Sequence, residues 1–162
     1  NFCQIMRLSN VSKLIGRYMG RIIVHLHGKT KDKSMTTLIQ NYSDRILPRA
    51  IKIETHSEKL STNDYLQYLQ SKQGTLILLD EGGEQYTSQE LADLCKKWAL
   101  KGEDTHLAMG PFDGWPKSGS SQKITRFSLS LMTFPHELAA VLLLEQLYRA
   151  TEINRGSGYH KA

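Results

Sequence analysis

The chain has 162 residues, two cysteines and a net charge of +5. That length buries a core as one domain without a disulfide or a metal, no apolar run is long enough to cross a bilayer, and Cys3 and Cys95 belong to no CxxC or Cys/His cluster. The composition therefore leads us to expect a soluble, cytoplasmic domain without a metal, and the modest charge permits a nucleic-acid partner without requiring one.

Residues 1–18 hold Arg7, Lys13 and Arg17 and no acid, and so carry three of the five net positive charges. Two readings stand: an organelle presequence, which would place the protein in a plastid or mitochondrion, or an upstream extension before a domain that starts at Met19. From there the pattern is regular. Arg21–His27 is β-branched and apolar and stops at Gly28, which predicts a buried strand. Leu38, Ile39, Tyr42 and Ile46 recur at helical spacing up to Pro48. Ile51 and Ile53 alternate as a second strand, and Tyr65, Leu66 and Leu69 mark a second helix.

Thr75–Leu79 predicts a third strand that ends in the turn Asp80-Glu81-Gly82-Gly83. Thr87-Ser88-Gln89-Glu90 has capping-box spacing, and Leu91, Leu94 and Trp98 form one helical face before Gly102. A fourth strand spans Thr105–Met109 and stops at Gly110-Pro111; a fifth is expected over Phe127–Phe134. Pro135 then opens a helix from His136 to about Glu152. The alternation implies an α/β domain with a mainly parallel sheet flanked by helices, and a ligand site outside the carboxyl ends of the strands. The loops there are Leu79–Gly83, Gly110–Gly114 and Phe134–His136.

Three segments carry candidate chemistry. Gly110 lets a ligand approach the backbone and Pro111 stiffens the turn, but this is neither a dinucleotide fingerprint nor a P-loop. The last helix is apolar on nearly every side, so it must be covered on two faces, which predicts a homodimer over a central helix in a monomer. Within it, Glu145 and Arg149 have the spacing of a surface pair, and His136 is either a base or a residue of the first helical turn. The terminal Tyr159-His160-Lys161 combines a stacking ring, an imidazole and a cation, which suits a base and a phosphate; a frayed tail is the plain alternative.

Taken together, the Gly-Pro turn, Ser128-Leu129-Ser130-Leu131-Met132-Thr133-Phe134-Pro135-His136, Leu144-Glu145-Gln146-Leu147-Tyr148-Arg149-Ala150 and Tyr159-His160-Lys161 resemble the ribosomal RNA large subunit methyltransferase H family of the SPOUT superfamily. The resemblance runs over about Met19 to Lys161, most strongly from Leu76. It implies a single SPOUT domain over residues 19–162 with a C-terminal trefoil knot, against the usual rule of unknotted chains, and an obligate homodimer. The activity implied is methyl transfer from S-adenosylmethionine to N3 of a pseudouridine in large-subunit ribosomal RNA, within the assembled ribosome.

The donor-binding residues implied are Leu79, Gly110, Ser130, Leu131, Met132, Thr133, Phe134 and Pro135. His160 is the first candidate for a proton acceptor or positioning group, reaching the donor pocket of the other subunit. Tyr159 would stack on the base, and Lys161 or Arg149 would meet phosphate. Where relatives commonly read Gly-Gly-Pro-Glu-Gly, this chain has Met109 through Gly114 with Phe112 and Asp113 inside, a departure that bears on the donor pocket. Two rival readings follow: a ribosome-binding knotted protein that has lost donor binding, and a SPOUT methyltransferase with another RNA target.

Overall fold

In the computed structural model the described residues are 19–161, so the presequence reading of residues 1–18 lies outside them. Strands β1 (Ile22–His27), β2 (Ile51–His56), β3 (Thr75–Gln85), β4 (Thr105–Met109) and β5 (Thr125–Ser128) alternate with helices α1 (Lys33–Ile46), α2 (Thr62–Gln70), α3 (Ser88–Leu100) and α4 (His136–Asn154). The strands form one sheet in the order β2-β1-β4-β3-β5, with every pairing parallel. All five carboxyl ends therefore lie along one edge. The expected α/β class with a parallel sheet holds.

Period-two alternation sorts the strand residues between two cores. Ile22, Val24, Leu26, Ile77, Leu79, Leu107, Met109 and Phe127 face the layer containing α1, α3 and α4. On the other face, Leu78 and Ala108 pack with Tyr65, Leu66 and Leu69 of α2 and with Trp115. The capping box read from the sequence is present on α3: Thr87 Oγ1 accepts from Glu90 N, and Glu90 Oε2 accepts from Thr87 N at 2.7 Å.

Two strand boundaries differ from expectation, and both differences fall at the same edge. β5 ends at Ser128 rather than Phe134, because Ser128 Oγ donates to Ser130 O at 2.8 Å and Met132 N donates to Ser130 Oγ at 3.0 Å. These local side-chain bonds bend the chain off the sheet. β3 does not stop at Leu79: Phe127 pairs with both Leu79 and Glu84, so the stretch between them is a bulge inside a longer strand. A Cβ on Gly83 would stand 2.6 Å from Phe127 N, which explains the glycine there. The last helix is packed on two sides within its own chain. No residue from His136 to Ile153 is exposed, since α1 and α3 flank it within the same chain.

On the α2 face two aromatic side chains fasten β3 where its bulge begins and β4 at its end. Tyr65 Oη donates to Met109 O at 3.1 Å and Trp115 Nε1 donates to Leu79 O at 2.9 Å. The two rings stack with centroids 5.6 Å apart and an interplanar angle of 14°. Farther along the same face three imidazoles cross β2, β1 and β4. His25 Nδ1 lies 2.9 Å from His56 Nε2, His25 Nε2 lies 2.9 Å from His106 Nδ1, and His106 Nε2 lies 3.0 Å from Gln73 O. A carbonyl only accepts, so His106 Nε2 carries the proton there. The ladder then has one direction: His106 Nδ1 accepts from His25 Nε2, and His25 Nδ1 accepts from His56 Nε2.

Burial holds the His25 imidazole down at about 4, assisted by His56, His106 and Lys72 and opposed by Glu54. Above its ordinary value of 6.5, His25 is neutral whether the chain is folded or not. Between there and about 4 only the unfolded chain takes up the proton, so folding stability falls by on the order of 3 kcal/mol across that window and the loss levels off below it. In chelator-containing buffer, denaturation midpoints should decline over this range while the His25 ring resonances stay those of a neutral imidazole; titration of His25 near 6.5 would refute this. Trp115→Phe keeps a ring but leaves the buried Leu79 carbonyl without its donor, and should cost about 1–3 kcal/mol in urea denaturation; an unchanged midpoint would dismiss the brace.

Candidate functional site

Because the sheet is wholly parallel, the bulge of β3 and the segments that leave β4 and β5 open onto one cleft, of about 680 Å³. Its walls are Leu79–Glu81, Met109–Trp115 and the run between Leu129 and Pro135, with His136 at the start of α4. That size and its mixed backbone and apolar lining are those of a small-molecule site. Of the eight residues expected to hold a donor, Leu79, Gly110, Ser130, Met132, Thr133, Phe134 and Pro135 line the cleft together. Leu131 does not; it is 79% exposed to solvent.

The turn after β4 is closed by Gly114 N donating to Pro111 O at 2.9 Å, with Gly114 at φ 78°. A second constraint acts on Gly110 from beneath the turn. A Cβ there would lie 3.1 Å from Trp115 Nε1, so the space is taken by the indole beneath the turn. Phe112 is 92% exposed and Met132 72%, which leaves two large apolar side chains at the mouth.

The polar lining is mixed in sign. Asp80, Glu81 and Asp113 stand opposite Lys117 and Arg126. Arg126 Nη1 is paired with Asp80 Oδ2, while Asp80 Oδ1 accepts from Gly82 N at 2.9 Å, so Asp80 fixes both the bulge and the neighbouring strand. The Glu137 carboxylate accepts from Lys31 N at 2.5 Å and Asp32 N at 3.1 Å, tying the start of α4 to the loop after β1. His136 lines the cleft and also an adjoining cavity of about 810 Å³, rimmed by Lys29, Lys31 and Lys59. Burial lowers the pKa of His136, which favours a neutral imidazole able to accept a proton.

The tail residues stand elsewhere. The 3₁₀ turn Gly158–Lys161 packs on α4. Arg149 Nη2 bonds Glu145 Oε1 at 2.7 Å, its guanidinium lies 4.9 Å from the centroid of the Tyr159 ring, and Tyr159 Oη donates to Glu145 Oε1 at 3.2 Å. Loss of solvent, first among several causes, pushes the Tyr159 hydroxyl up to about 12, so it remains protonated. His160 and Lys161 are exposed. At 1.5 Å per residue, Glu145 lies roughly 13 Å along the helix from His136 and Arg149 roughly 20 Å. Within one chain the tail and the cleft are thus two separate places.

Reading the sequence alone missed Tyr65 and Arg126, and missed what Trp115 does. Trp115 closes the Gly-Pro turn and Tyr65 sits on a helical face, but nothing in their spacing pairs them. Asp80 was visible only as the polar end of a strand.

Residues 20–160 match the family model described as "Predicted SPOUT methyltransferase". A ribosomal RNA large subunit methyltransferase H from Koribacter versatilis is 37% identical over 138 residues, covering 82% of this chain and 92% of that protein. Proteins of the same name from Acinetobacter baumannii and Acinetobacter baylyi are 44% and 42% identical over 88 and 87 residues, in each case about half of either chain. Among the described residues no helix is long and apolar enough to cross a membrane. The chain is therefore a SPOUT methyltransferase by family and belongs to the ribosomal RNA large subunit methyltransferase H family.

Proposed function

We propose that this chain transfers a methyl group from S-adenosylmethionine to N3 of a pseudouridine in large-subunit ribosomal RNA, and that residues 19–162 form one SPOUT domain for that purpose. The observation that carries the reading is the convergence of Leu79, Gly110 and the Ser130–Pro135 loop on a single cleft, in a chain similar to the Koribacter protein over 82% of its length. The residues present suit the donor. Main-chain groups of the three loops would hold it, and Glu81 and Asp113 would balance its positive charge, Asp80 being already paired with Arg126. When bound, S-adenosylmethionine supplies an electrophilic methyl group.

The chain's own residues have three tasks: to hold the acceptor base in line with the donor, to keep water out, and to receive the proton lost from the ring nitrogen. His160 is assigned the last task or the placing of the base, Tyr159 stacks on the base, and Lys161 or Arg149 meets phosphate. His136 is the alternative proton acceptor already at the cleft. Since the tail lies away from the cleft of its own chain, this assignment requires a homodimer in which one protomer's tail reaches its partner's cleft. The exposed Phe112, Leu131 and Met132 beside the cleft are the apolar surface such a dimer would cover. A trefoil knot fits the path of the chain: β5 lies outside β3, yet α4 packs beneath the sheet against α1 and α3, so residues 129–135 return across the strand ends.

Calorimetry with S-adenosylmethionine should show one site per chain; no binding would instead favour a ribosome-binding protein without catalysis. Mass spectrometry of ribosomal RNA from cells with and without the gene should show one methylated pseudouridine lost, whereas another lost nucleotide would reassign the target. His160→Ala should reduce methyl transfer at least about 100-fold, the usual contribution of a proton-transfer group, with donor binding unchanged; full turnover would transfer the role to His136. Sedimentation showing monomer alone at micromolar protein would overturn the shared site.

A further inference from the structure

The histidine ladder lies outside the cleft and the methyl-transfer reading does not use it. At its β2 end it meets a carboxylate: His25 Nδ1 is 3.7 Å from Glu54 Oε2 and 2.9 Å from His56 Nε2. One donor atom from each of His25, Glu54 and His56 lies within 4.8 Å of the others. Glu54 and His56 are two residues apart on β2, so they share a face, and His25 stands beside them on β1 in the register that pairs it with Glu54.

We propose that His25 Nδ1, His56 Nε2 and Glu54 Oε2 bind one divalent transition-metal ion of the zinc class, which clamps the edge strand β2 to β1. Ligands of a tetrahedral zinc ion, bonded at about 2.0–2.2 Å, stand roughly 3.3 Å from one another. The 2.9 and 3.7 Å that separate His25 Nδ1 from the other two ligand atoms bracket that spacing, and His56 Nε2 and Glu54 Oε2 lie within 4.8 Å of each other, so side-chain adjustment can bring all three onto one ion.

The outer contacts of a metal site are already in place. Gln73 O fixes the His106 tautomer and His106 fixes that of His25, so the His25 Nδ1 lone pair is directed toward His56. Lys52 Nζ holds Glu54 Oε1 at 2.8 Å, leaving Oε2 toward the imidazoles. The ion takes the place of the proton that His56 Nε2 shares with His25; that proton moves to His56 Nδ1, and both rings stay neutral.

His25 is fully buried, but the Glu54 side chain is 31% exposed at the sheet edge, which gives the ion a way in. The site is edge-on to solvent, with a fourth position for water. Its ligands come from two strands at no recognisable spacing, which is why the sequence pointed to no metal.

The test uses the full chain stripped with a chelator and titrated with Zn²⁺ by calorimetry and with Co²⁺ by visible absorption. We expect one ion per chain, an intense tetrahedral Co²⁺ spectrum, and a melting temperature that rises with Zn²⁺ as binding to the folded state requires. His56→Ala should abolish binding and Glu54→Gln should weaken it at least about tenfold, while Glu58→Gln, outside the cluster, should leave it intact. Glu54 is partly exposed, so its variant remains informative if His56→Ala folds poorly. Absence of binding at micromolar Zn²⁺, or equal affinity in the two cluster variants, would overturn the site.

Discussion

Two carbonyl oxygens lie at the floor of the cleft, Leu79 O where the β3 bulge begins and Met109 O at the end of β4, and each is capped from below by an aromatic donor. The caps are the stacked Tyr65 and Trp115, one from α2 and one from the turn that follows β4. A buried carbonyl without a partner is costly, and a loop resting on it would find no single position. Fastened in this way, the floor of the cleft is as rigid as the sheet. The Gly110 turn is then determined from beneath, since the indole occupies the space where a side chain at Gly110 would begin.

The bulge in β3 has a similar effect at the other wall. Phe127 pairs on both sides of residues 80–83, and Asp80 joins the bulge to β5 through Arg126. The third wall, from Leu129 to Pro135, leaves the sheet because Ser128 and Ser130 bond their own backbone. It is the least confined of the three, and it exposes Leu131 and Met132.

The two faces of the sheet have different characters. The face covered by α1, α3 and α4 is a continuous apolar core. The α2 face is thinner and contains the hydrogen-bonded imidazoles, for which a single carbonyl sets every proton position. Burial disfavours the charged form of His25 and of His56, and this makes their part of the sheet acid-sensitive.

The sequence by itself determined the order of strands and helices, the capping box at Thr87 and Glu90, and the family, because periodicity, caps and ordered motifs are local signals. Of the eight donor-binding residues that the resemblance implied, seven line the cleft. Only the tertiary structure decided the extent of β3 and β5, where pairing with Phe127 and the serine bonds override strand propensity. The structure alone also separated the tail from the cleft of its own chain, supplied α1 and α3 as the cover of α4, and brought His25, Glu54, His56 and His106 together. Contacts between residues 30 to 80 positions apart leave no periodic trace in a chain, so their partners became known only when the sheet order set them side by side.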